Sequence, residues 1–163
     1  MRIISSVSVA SIASILLLCF SLSGGQARAK DFDAKLLDEQ SLDALKSQAD
    51  QAPLSERCFL YAEIVHQMTE LAGRQVAAGD SPRAADTLQA VRDYAAKIHA
   101  DISQDARLES RKVKNAELLM EHTVNRLNGI LNTASYEDRD MMALTLKQLN
   151  QIQTELMLQV FKK

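Results

Sequence analysis

Glu63-x-x-His66 is the most suggestive chemical spacing in the chain. On a helix it sets a carboxylate and an imidazole on one face, and di-metal bundles ligate their ions with two such copies on facing helices. A single copy is present here. The neighbouring apolar residues Leu54, Cys58, Tyr61, Val65, Met68 and Ala72 step by four and three. That seam places Glu63 and His66 on the outer, solvated face. His122 also falls off its seam, beside Glu121, and His99 flanks Ile98 at a boundary. Ligands that do not converge hold no metal, and the C-x-x-C-H of covalently attached haem is missing. His99 and Asp101 are two residues apart and do not face each other on a helix. His99 and Ser103 share a face only as ordinary helix neighbours. The expectation is a non-enzyme with no catalytic, cofactor-binding or metal-binding residues.

Cys58 sits on the seam, where a free thiol behaves as a small apolar residue. Met68, Met120 and Met142 occupy seam positions in the same way. Arg107, Arg111 and Lys114 line one helix face and offer a small anionic docking patch, although Glu109 and Glu117 are mixed among them. Tyr61, Thr123 and Thr145 are polar residues at seam positions where a filled core prefers leucine, and together they would line a pocket between helices.

The elements that must position these side chains read as helices. Pro53 suits a first helical residue, and Gly79 suits a terminator. Ser81-Pro82 opens the next helix, with the seam Ala84, Leu88, Val91, Ala95, Ile98 and Ile102. A further seam runs through Val113, Ala116, Met120, Thr123, Leu127, Ile130 and Ala134. Ser135-x-x-Asp138 resembles a capping box, and the last helix carries Met142, Thr145, Leu149, Ile152, Leu156 and Val160. No glycine or proline separates Ile102 from Val113. One helix from Pro82 to Thr133 would be about 78 Å long, so a turn near Ser103-Gln104-Asp105 is the preferred reading. The fold expected is all-α: an antiparallel four-helix, up-down-up-down bundle over 53–163, preceded by an acidic 30–52 segment of short helical pieces lying across it.

Residues 1–29 read as a secretory signal peptide. Arg2 is followed by an uncharged apolar run, the helix-breaking Ser23-Gly24-Gly25, and the small-x-small triplet Ala27-Arg28-Ala29. An uncleaved N-terminal anchor is the alternative. Lipidation at Cys19 is disfavoured by Leu18, which is not small. Cleavage leaves 17 basic against 21 acidic residues, a balance unsuited to phosphate backbones or anionic lipid. It also leaves Cys58 alone, so no disulfide staples the domain.

Ala78-Gly79-Asp80, with Ala84, Leu88 and Val91 after it, resembles the second-helix half of a tetratricopeptide repeat over about 15 residues. The resemblance implies helical hairpins stacked as in an adaptor, but the pattern does not recur after 34 residues. The functional expectation is a periplasmic or secreted module that binds another protein or itself. It would not bind nucleic acid or insert in a membrane after cleavage. A small-ligand or sensory bundle is the alternative.

Overall fold

The computed structural model describes residues 37–104 and 108–161; the expected signal peptide and Arg107 lie outside them. The described residues form five helices: α1 (Glu39–Gln51), α2 (Leu54–Ala77), α3 (Ser81–Ser103), α4 (Ser110–Thr133) and α5 (Tyr136–Phe161). No strand occurs among the described residues.

Local chemistry sets most of the ends. Asp38 caps α1, its Oδ1 accepting from the Ser41 N–H at 2.8 Å. The Ser41 side chain, and then this backbone bond, hold the Asp38 carboxyl below its usual pKa. The described part of the acidic segment, 37–52, thus forms one helix rather than short pieces. Pro53 is the N-cap of α2. Gly79, at φ +75°, takes the left-handed turn that a side chain would resist. Asp80, rather than Ser81, caps α3. α3 ends at Ser103, so 82–133 is two helices, with the break where the turn is expected. At the start of α5, Ser135 Oγ donates to Asp138 Oδ2 and accepts from the Asp138 N–H, as the spacing predicts.

The helices pair as two hairpins. α2 packs antiparallel to α3, with Arg57 meeting Asp101 and Tyr61 meeting Tyr94. α4 folds back on α5 across the short 134–135 link. The hairpins then stack like on like. Along α2 and α4 the contacts rise together, from Phe59–Lys112 through His66–Thr123 and Glu70–Arg126 to Gly73–Ile130. Along α3 and α5 they run Arg92–Thr145 and then His99–Glu155. Hydrogen-bonded partners across the stack are 53 to 57 residues apart, and α2 and α4 are both 24 residues long.

This corrects the expected arrangement. The molecule is an all-α bundle, but each bundle helix has one antiparallel and one parallel neighbour. α2 and α5, like α3 and α4, scarcely touch. Seam spacing reports which residues turn inward, not which helix they meet, so a heptad pattern alone does not distinguish the two arrangements.

α1 lies against α2. Leu42 and Ala49 are buried there, the Leu37 N–H donates to Gln67 Oε1 at 3.0 Å, and Asp50 reaches Tyr61 and Lys97. α2 is thereby enclosed by α1, α3 and α4. Ile64, Val65, Leu88, Val91, Ile98, Met120, Leu127, Met142, Leu149, Ile152 and Leu156 fill the core at 2 % exposure or less.

Candidate functional site

Two polar seams join the hairpins, and they share one design. In each, a threonine of the second hairpin gives its single proton to its own helix and accepts from a basic side chain of the first. Thr123 Oγ1 donates to Leu119 O at 2.7 Å, so the 3.0 Å contact with His66 is an Nδ1–H donating to Thr123. Thr145 Oγ1 donates to Met141 O at 2.9 Å and accepts from Arg92 Nη1 at 3.0 Å. The Thr123 hydroxyl satisfies a buried donor that would otherwise cost about 1–3 kcal/mol, whereas the half-buried Arg92 can also reach water.

The α2/α4 seam is dry at its threonine but not at its ion pair, where Arg126 is 52 % exposed, as His99 is in the other seam. His66 is 4 % exposed and Thr123 fully buried. The His66 and His122 rings meet edge-on with centroids 5.4 Å apart, and Arg126 Nε lies 2.8 Å from Glu70 Oε1. This reverses the expected placement of His66. A seam argument assigns a helix one buried face, but α2 has three neighbours, so its "outer" side is buried too. Glu63 is half-buried on the same helix, and His122 is half-buried rather than solvated.

The α3/α5 seam is open. His99 Nδ1 sits 2.7 Å from Glu155 Oε2 with half of the His99 side chain exposed. Gln148 Nε2 donates to the Arg92 carbonyl at 2.9 Å. A cleft of about 350 Å³ follows this seam, lined by Ala96, His99, Leu144, Gln148, Gln151 and Ile152 among others. Leu144 stands at its edge, 62 % exposed.

The residues singled out from the sequence are dispersed. Tyr61 is buried, its hydroxyl 3.3 Å from Asp50. Its ring packs on Tyr94 at 5.8 Å, with Lys97 Nζ over both rings. Burial, then the Asp50 charge, pushes its phenol up to about 12. Tyr61, Thr123 and Thr145 are therefore bonded into three different helix pairs and do not line one pocket. Arg111 and Lys114 are exposed on the first turns of α4, and Arg107 lies outside the described residues.

Two features escape the sequence reading. Arg57 forms a two-pronged pair with Asp101 at 2.9 and 2.6 Å, and the Asp101 side chain is only 5 % exposed. Their bond raises the Arg57 pKa further, against the opposing effect of burial. Nothing in the spacing of positions 57 and 101 announces that pairing. The other is the outer edge of α5, where Leu144, Met157, Leu158 and Phe161 are exposed. Its signal was present, as apolar residues lying beside the inner seam.

The chemistry available is limited. Burial, with a smaller push from Asp101, raises the Cys58 thiol to about 12, so it is a protonated thiol rather than a nucleophile. Among the described residues no group of three or more His, Cys, Asp or Glu side chains is set to hold a metal ion, and no helix is long and apolar enough to cross a membrane. Comparison with protein-family models, curated proteins and solved structures finds no match for the chain.

Proposed function

We propose that this chain is an exported helical-hairpin module that works by binding protein, with no chemistry of its own, and that the outer edge of α5 is its contact surface. One observation carries the reading. α5 completes its own packing through Met142, Thr145, Leu149, Ile152 and Leu156, yet five further large apolar side chains on it, Tyr136, Leu144, Met157, Leu158 and Phe161, face water. Isolated surface leucines need no explanation, but Met157, Leu158 and Phe161 gather within the last turns of α5, and such a cluster marks a contact surface. The like-on-like hairpins support an adaptor role, because stacked hairpins offer extended faces rather than enclosed pockets. The reading of a pocket lined by Tyr61, Thr123 and Thr145 lacks such support, since their hydroxyls are engaged in separate seams.

Export rests on residues 1–29. Mass spectrometry of the chain from its own host is expected to find Lys30 at the N-terminus; a retained leader would contradict cleavage. The binding role is tested by a photo-crosslinking side chain at Leu144, with exposed Asn128 of α4 as the control position. A discrete protein adduct at Leu144 and none at Asn128 is expected. Identical behaviour at the two positions would refute the assignment of α5.

A further inference from the structure

Exposed and half-buried residues of α5 follow a pattern that an arbitrary contact surface would not require. Leu144, Gln148, Gln151, Glu155 and Leu158 step by four, three, four and three, which sets them in one stripe along the helix. Leu144 and Leu158 are 62 % and 60 % exposed, and each lies seven residues from Gln151, about 10 Å along the axis. Met141 and Phe161 extend the stripe by ten residues on either side of the same centre. Lys147 and Glu155 lie four residues on either side of it and carry opposite charges.

A sequence that reads this way about one residue is complementary to itself when reversed. We propose that a second copy of this chain docks on α5, antiparallel, about a twofold axis through Gln151. Leu144 then meets Leu158 of the other copy, Met141 approaches Phe161, and Lys147 comes within reach of Glu155. This is the isologous contact expected of a twofold dimer. A parallel pairing would set Lys147 beside Lys147 and Glu155 beside Glu155, which opposes it.

The polar centre is already organised. Gln151 is exposed and donates to Glu155 Oε1 at 2.9 Å, while Glu155 also meets His99 across the α3/α5 seam. A glutamine carries both donor and acceptor groups, so two of them can bond across a dyad. A polar pair between apolar flanks also fixes the register, since a slip of one turn would set leucine against amide.

The proposal rests on the reading of α5 as a contact edge, and the tests separate the two. Light scattering of the purified chain is expected to give twice the mass of one chain. Leu144→Glu alone and Leu158→Lys alone should each weaken self-association by about tenfold or more. Combining them should restore the dimer, because the two positions face each other across the interface, whereas Leu144→Glu with Leu158→Glu should not. In a Cys19→Ser background, Gln151→Cys should form an intermolecular disulfide that Asn125→Cys on α4 does not, Cys58 being buried. A chain that stays monomeric at every accessible concentration overturns the self-pairing, as does a dimer indifferent to Leu144→Glu and to Leu158→Lys. If that monomer still crosslinks a different protein at Leu144, the contact-edge reading stands without the dimer. If it crosslinks nothing, both fall.

Discussion

α2 and α5 are of similar length and similar apolar content, but they are used in opposite ways. α2 buries eleven of its 24 residues, including His66, Gln67 and Thr69, and each of these three polar side chains has a partner. α5 buries six of 26 and leaves Leu144, Met157, Leu158 and Phe161 exposed. The cause is position. α2 is covered by α1, α3 and α4, while among the described residues α5 packs chiefly against α3 and α4. Polar groups on the enclosed helix must therefore be bonded inside the protein, whereas apolar groups on the open helix stay at the surface. The contrast separates residues that hold the fold from residues that face outward.

The largest effect should come from the enclosed side. Arg57→Met leaves the Asp101 carboxylate buried without its partner and is expected to cost about 3–5 kcal/mol in chemical denaturation. The matched threonines sharpen the comparison. Thr123→Val strands the His66 Nδ1–H in the dry seam and should cost about 1–3 kcal/mol. Thr145→Val should cost less than about 1 kcal/mol, because Arg92 is only half-buried and can turn to water. Equal losses would show that the two seams are equally dry. The smallest effect separates the two glycines at equivalent places, one on each stacked helix. A Cβ on Gly129 meets nothing within 4 Å, so Gly129→Ala should raise stability by about 0.5–1 kcal/mol. A Cβ on Gly73 would fall 2.6 Å from Ile130 Cδ1, so Gly73→Ala should gain less, since Ile130 must move.

Much of the fold was legible because its signals are local. Pro53, Gly79, the Ser135–Asp138 box and the seam of each helix depend on neighbours within one or two turns, and the structure places each close to where the spacing predicts. Pairing is not local. Whether α2 meets α4 side by side depends on contacts some 56 residues apart, and a heptad pattern is the same for parallel and antiparallel neighbours. His66 is the clearest example. Its phase points away from the α2 seam, and that side is buried only because α2 acquires a third neighbour. The site was legible in part: the threonines stand out as polar seam residues, but each satisfies a donor from another helix rather than lining a common cavity. The stripe from Leu144 to Leu158 was open to the same periodicity argument, and was masked by the inner seam one residue further round the helix.

One measurement tests the division between enclosed and open helices most directly. Ile64 of α2 is fully buried and Leu158 of α5 is 60 % exposed. Denaturant unfolding of Ile64→Ala and Leu158→Ala should be compared at protein concentrations low enough to keep the chain monomeric. The account predicts a loss of about 2–5 kcal/mol for Ile64→Ala and a change within about 0.5 kcal/mol for Leu158→Ala. A comparable loss for the two would place Leu158 in the core and contradict the assignment of α5 as a contact edge.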